Sequence, residues 1–306
     1  MPSSTPAPGP KGAAGAGHRQ RPSAILDVLG QEREAFLQGQ LTQEVRGMKP
    51  GETRPAAGLT PRGKLLFVAR LQALEDRLRL YLPAVSREPI LAHLTKYAVF
   101  QKVSVADRSN ELLRIALYGR AAGELPSPPP ETLVLPGEAE ISAELVFPVA
   151  RRPLVERWLS EAGSIPVSDD DGEIRRVEAG RPRYGQDADA SRLIDEVGLV
   201  AAVSNTKGCY VGQEIVARMR TYGQVQRRLV GFRFPEGAIP QGAVLRRPEE
   251  SEPGKTEAGR VTSSVSSPRW GAIGLGYAFR DVPAGGLLVF TEDPARSALV
   301  APLPFA

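Results

Sequence analysis

The 306-residue sequence contains a single cysteine, Cys209. One thiol excludes an internal disulfide framework and any metal site built on paired cysteines. No apolar run approaches the roughly eighteen residues that a membrane-crossing helix requires. No signal-like hydrophobic segment opens the chain, so the expected compartment is the reducing cytoplasm, without a membrane partner. Also missing is any dense basic run interleaved with aromatics. The net charge of +4 and an isoelectric point near 9.3 suggest nucleic acid at first sight. Yet Lys11, Arg19 and Arg21 supply +3 of that charge within the first 22 residues, which carry no acid. The remainder is nearly neutral, so nucleic acid is not an expected partner.

What is present is the balance of an ordinary globular protein, with 42% hydrophobic and 24% charged residues. The length exceeds what one core usually serves, so two or three packed domains are expected. Residues 1–22, rich in Pro, Ser, Gly and Ala, read as a disordered tail. Residues 23–120 follow the order strand, strand, helix, strand, strand, the pattern of an α+β domain with a largely antiparallel sheet. Within it Leu78, Leu80 and Leu82 alternate with Arg77, Arg79 and Tyr81. Ser86 is expected to cap a helix carrying Ile90, Leu91, Leu94 and Tyr97.

A proline-rich spacer at 121–130 leads to a second α+β domain at 131–222. Its helix from Pro153 to Ala162 is expected to bury Leu154, Val155, Trp158, Leu159 and Ala162, with Gly163 as C-cap. Asp169-Asp170-Asp171-Gly172 lacks the alternating oxygens of a calcium loop and reads as a solvated turn. In residues 223–306, short β segments separated by Gly and Pro predict a small β-barrel. Strand followed by helix in each half hints at a duplication, without a clear repeat.

The chemistry concentrates in Lys207-Gly208-Cys209-Tyr210-Val211-Gly212-Gln213-Glu214. In an extended segment side chains two apart share a face, so the Lys207 ammonium would favour a Cys209 thiolate. Gly208 and Gly212 permit positive φ angles and close backbone approach. Residues 213–220 read as helix or strand. By spacing alone, a lone cysteine is more often a small buried hydrophobe than a reactive group.

The octapeptide resembles the signature of the YgfZ-type folate-binding family. Members of that family are relatives of the aminomethyltransferase of the glycine cleavage system, implicated in iron–sulfur cluster assembly or repair. Phe36-Leu37-Gln38-Gly39-Gln40-Leu41-Thr42 and Leu59-Thr60-Pro61-Arg62-Gly63-Lys64 are similar to its two N-terminal signatures. The segment from Arg176 to Asp187 resembles one shared across the wider folate-dependent superfamily, in which the glutamate before Ala-Gly contacts the pterin ring. Here that residue is Glu178. The sequence departs from the pattern in three places. Glu44 stands where an aspartate is common, only Glu196 matches a Pro-Gln-Glu element, and Asn205 replaces an apolar or aromatic residue.

The resemblance spans residues 23–306. It implies two related α+β domains plus a C-terminal β-barrel, arranged as a three-part ring around a central folate site. It implies tetrahydrofolate or a one-carbon derivative as cofactor, and no metal. Cys209 and Lys207 become the catalytic candidates. Glu178, Arg176, Tyr210, Gln213, Glu214 and Arg218 become the cofactor-binding ones, the arginines for the glutamate tail. The implied partners are reduced folate and iron–sulfur client enzymes or assembly proteins, around a monomer. One thiolate cannot alone hold a cluster that usually takes four. It could form a mixed disulfide, give one ligand, or act as a nucleophile. Two alternatives stay open: a folate-dependent aminomethyl or methylamine transferase, and an RNA-binding or scaffold protein.

Overall fold

The computed structural model of the protein describes residues 16–119, 124–223, 225–248 and 257–305. The first half runs β1 (Gly17–Gln20), β2 (Ser23–Leu29), α1 (Arg33–Gln40), β3 (Thr53–Leu59), β4 (Leu65–Ala73), β5 (Arg77–Pro83), α2 (Arg87–Ala98), β6 (Ser104–Asp107) and β7 (Leu112–Tyr118). Next come β8 (Leu133–Pro136), β9 (Ala143–Pro148), α3 (Arg152–Glu161), β10 (Ile165–Pro166), α4 (Asp169–Glu178) and α5 (Gln213–Tyr222). The chain ends with β11 (Arg227–Arg233), β12 (Val244–Arg246), β13 (Gly259–Ser267), β14 (Gly271–Phe279), β15 (Leu287–Phe290) and β16 (Ser297–Ala301). These elements form two units that do not follow sequence order. One joins the described residues up to Arg21 with Leu113–Ser168, and the other joins Pro22–Leu112 with the described residues from Asp169 onward.

The first unit is a sheet in the order β10-β1-β7-β9-β8 with α3 on one face. Val155, Trp158 and Leu159 of α3 meet Ile115, Leu117, Ala143, Leu145 and Phe147. Leu154, expected among them, is 48% exposed. In β9, Glu144 is buried and takes ion pairs from Arg114 and Arg21. Residues 17–20, which composition assigned to the tail, are a strand in this sheet. Their partners are Ile115–Tyr118 and Ile165–Pro166, so no local apolar pattern announces them. Residues 1–15 of the expected tail and 120–123 at the start of the spacer region lie outside the described residues.

In the second unit the sheet order is β3-β4-β5-β2-β6. Leu78, Leu80 and Leu82 enter a core shared with Phe36 and Leu37 of α1 and Ile90 and Leu94 of α2. The opposite face of β5, polar in sequence, is buried as well. Arg79 places Nε and Nη2 at 2.6 and 2.9 Å from the two carboxylate oxygens of fully buried Asp27. Tyr81 donates to Gln72 at 2.5 Å. Polar groups can line a buried face because they satisfy one another. Ser86 does not cap α2. Its backbone is already helical (φ −89°, ψ −3°), continuing a 3-10 turn, and its hydroxyl makes no cap bond. Tyr97 is correspondingly 46% exposed rather than part of the apolar face.

The aspartate run is also not a turn. Asp169, Asp170 and Asp171 form the first turn of α4, where their charges oppose the positive end of the helix dipole. Beyond α5 the six strands close into a barrel in the order β11-β14-β13-β12-β15-β16. Phe232, Leu245, Val261, Ala278, Leu288 and Val300 fill it. Five of these strands are legible as β segments; β16 is the additional one, pairing with both β15 and β11. The fold is therefore α+β with a closed C-terminal β-barrel. Among the described residues no helix is long and apolar enough to cross a membrane.

Candidate functional site

Three segments distant in sequence meet at the cysteine loop. Helix α1 ends at Gln40, and the residues after it turn into a bend. Within the bend, the Thr42 N–H donates to Ala57 O at 2.8 Å and its hydroxyl to Ala202 O at 2.5 Å. The loop returns to this bend and to the last turn of α1 through its backbone. Ser204 N–H donates to Thr42 O at 3.0 Å, and Val211 N–H donates to Gly39 O at 3.1 Å. The third segment is the turn at Thr60–Lys64. Gly212 adopts φ +83°, and a Cβ there would lie 2.6 Å from Thr60 O. Gly63, at φ +71°, leaves no room for a Cβ beside Ile215 of α5. Only glycine fits at both places. Gly208 does not use that freedom.

Lys207 is 6% exposed. Its Nζ donates to Gln38 O at 2.7 Å, Leu41 O at 2.6 Å and Gln43 O at 2.9 Å. An ammonium has three N–H donors, so none is left for the Cys209 sulfur. The expected thiolate partner is instead bound to the C-terminal end of α1. Burial lowers its pKa to about 8, with Glu44 opposing and Arg46 adding to the shift. The Nζ also lies 5.0 Å from the centroid of the Tyr210 ring. Tyr210 is half-buried against the cluster of Ala57, Leu59, Leu65 and Val216, and burial raises its phenol pKa.

Cys209 itself is exposed, which removes the buried-hydrophobe alternative. Residues 213–222 are helix, and Gln213 accepts the Tyr210 N–H at 3.3 Å. Glu214 and Arg218 are exposed on α5. Two departures from the family pattern, Asn205 and Glu44, and the matching Glu196 have local roles. Asn205 accepts from Arg220 at 2.7 Å, Glu196 accepts the Leu193 N–H at 3.0 Å, and Glu44 accepts the Arg46 N–H at 3.1 Å.

Glu178 and Arg176 lie in different surroundings, on α4 against the barrel wall. Val177 packs with Ile273, Leu275, Ala301 and Phe305. Arg176 is 1% exposed, and all five of its N–H groups have protein acceptors. Nε and Nη2 take the two Glu173 oxygens, Nη2 also reaches Ser263 Oγ at 2.6 Å, and Nη1 takes Arg181 O and Asp187 Oδ2, both at 2.6 Å. No donor remains for the glutamate tail expected of it.

Glu178 is half-buried at the last position of α4. Its Oε1 accepts from Ser267 at 2.5 Å, and its backbone carbonyl accepts the Phe305 N–H at 3.0 Å. Oε2 has no donor among the described residues. Beside it the Trp270 ring has the guanidinium carbons of Arg233 and Arg269 at 4.8 and 4.5 Å from its centroid. No hydrogen bond, ion pair or core cluster among the described residues joins Glu178 to Cys209. Four residues to which the sequence assigned no site role also meet here: Asp187, Thr262 and Ser263 (the last two in the Gly259–Ser263 segment, which resembles the family's barrel region), and Ser267. Asp187 lies 2% exposed at the end of its signature and accepts from Arg176, Thr262 and Ser263. Those hydroxyls follow 75 and 76 residues later, beyond the reach of any local signal.

No family model matches the chain. Individual proteins do. The chain is 29% identical to the aminomethyltransferase of Rubrobacter xylanophilus, over 90% of its own length and 79% of that protein. It is 30% identical to the tRNA-modifying protein YgfZ of Shigella sonnei, over 75% of its own length and 72% of that protein. Among solved structures, the glycine cleavage system aminomethyltransferase T of Bartonella henselae superposes with a TM-score of 0.83. That match covers 96% of this chain and 87% of the other at 23% identity, so it speaks for the fold alone.

Proposed function

The chain belongs to the YgfZ family of the aminomethyltransferase superfamily, and from that premise we propose that it binds a reduced folate and supports iron–sulfur cluster assembly or repair in client enzymes through Cys209. One observation carries this reading. The exposed thiol stands on a loop that is hydrogen-bonded to the bend after α1 and wedged against the turn at Thr60–Lys64. A side chain used only for packing would not be presented this way.

The donor set suits a folate. Glu178 keeps acceptor capacity on Oε2, and a carboxylate can receive two parallel N–H bonds from the amino-pyrimidinone edge of a pterin. Arg218, exposed on α5, remains available to the carboxylates of the tail, unlike Arg176. A bound tetrahydrofolate would supply a one-carbon carrier. Tyr210 and Gln213 bond each other in the loop from which Cys209 acts, and Glu214, exposed on α5, remains a cofactor-binding candidate.

Titration with tetrahydrofolate by calorimetry tests the ligand. Complementation of a strain lacking the protein by the Cys209→Ser variant, read as iron–sulfur enzyme activity, tests the thiol. Full complementation would exclude the thiol role, and absence of folate binding would exclude the cofactor. Because relatives are named tRNA-modifying proteins, the modified-nucleoside content of tRNA in the same strain is a second readout. The likeness to the Rubrobacter aminomethyltransferase favours one alternative, a one-carbon transferase. Turnover with an aminomethyl-lipoyl carrier would decide for it.

A further inference from the structure

Five hydrogen bonds tie the cysteine loop to one short stretch, residues 38–43. Ser204 at its start bonds Thr42 O, Val211 at its end bonds Gly39 O, and Lys207 between them bonds three carbonyls. Within the loop, the Ser204 hydroxyl accepts the Lys207 N–H at 3.2 Å. Gly208 and Cys209, at the apex, are exposed and make no hydrogen bond to residues outside the loop among the described residues. Gln38 O is one of the last four carbonyls of α1, which a helix leaves without an internal partner, and Leu41 O and Gln43 O follow where the chain turns. Lys207 satisfies them from outside the helix.

We propose that Lys207 is a positioning residue, a pin that fixes the Cys209 apex by saturating the carbonyls of Gln38, Leu41 and Gln43, and that it is not the activator of the thiol. This rests on Cys209 being the working group, as argued above. A point-like ammonium with three divergent donors suits three converging carbonyls. A planar guanidinium, with its donors in one plane on a longer stem, does not.

The activator and pin roles predict opposite results, which full-length Lys207→Met and Lys207→Arg separate. Hydrogen exchange is read at the Ser204 and Val211 amides, and the rate of Cys209 alkylation at pH 7 is measured alongside. For a pin, exchange at both amides rises at least tenfold in both variants. The alkylation rate stays within twofold of wild type or increases, and complementation falls in both. A tenfold drop in alkylation for the Met variant, with wild-type behaviour of the Arg variant and unchanged exchange, would overturn the proposal. If the Met variant does not fold, the Arg variant decides: loop exchange as in wild type would equally overturn it. Full complementation by Cys209→Ser would remove the thiol from the function, and the exchange data would still report whether Lys207 pins the loop.

Discussion

Arg176 and Lys207 are both buried cations from signature segments, and the protein compensates them in opposite ways. Arg176 sits among carboxylates, with Glu173 and Asp187 on its guanidinium. Burial works against its charge, but those partners outweigh burial and its pKa is raised. Lys207 has only neutral carbonyls on its ammonium, and burial lowers it to about 8. The first pin is charged at every accessible pH. The second holds its charge conditionally, in a loop whose apex is the only thiol of the chain.

The strongest way to break the contrast is Arg176→Met. It would leave Asp187, 2% exposed, without its counter-charge, and unpaired buried charges cost about 3–5 kcal/mol. Urea unfolding should register that loss, and a change below about 1 kcal/mol would mean that the carboxylates are satisfied without Arg176. The conditional charge of Lys207 appears in a pH series. Below pH 8 the folded and unfolded states both hold its proton, while between about 8 and 10.5 only the unfolded state does. Stability of the wild type relative to Lys207→Met should therefore rise with pH over that window, approaching about 3 kcal/mol at its upper end. The groups facing the ammonium are Glu44, Arg46 and Tyr210, so the window moves if any of them titrates in it. A pH-independent gap would show that the folded amine is not perturbed.

Next in size is Glu178→Gln, which removes a charged acceptor and should weaken tetrahydrofolate binding by about 1.5–3 kcal/mol, roughly ten- to a hundred-fold. Unchanged affinity by calorimetry would remove Glu178 from the site. The smallest effect should come from Cys209→Ser, an exposed substitution expected to shift stability by no more than about 0.5 kcal/mol while abolishing complementation. A large loss of stability would mean that the thiol packs in the fold.

The barrel was legible because its strands are short apolar runs between Gly and Pro. β16 was not, since Ser297–Ala301 is five residues followed directly by Pro302 and acquires strand character only by pairing with β11 and β15. β1 failed for a similar reason, as Gly17–Gln20 has no apolar alternation and is held by long-range partners. The cysteine segment and Glu178 could be picked out by their motifs. The neighbour of Lys207 could not. Assuming an extended backbone placed its amine beside Cys209, whereas the folded side chain reaches carbonyls 164 to 169 residues earlier. Spacing in sequence reports a shared face only when the local backbone is regular.

The pin and its seat are also separated in time. As the chain is synthesised, the three carbonyls are complete once Gln43 is made, and Lys207 follows 164 residues later. At translation rates of roughly 5–20 residues per second, that interval lasts on the order of 8–30 s. From Asp107 onward every strand of the β3-β4-β5-β2-β6 sheet has been made, so that sheet can assemble before Lys207 appears. The end of α1 must meanwhile bind water or a chaperone. The cysteine loop is thus the late partner of a seat made long before it.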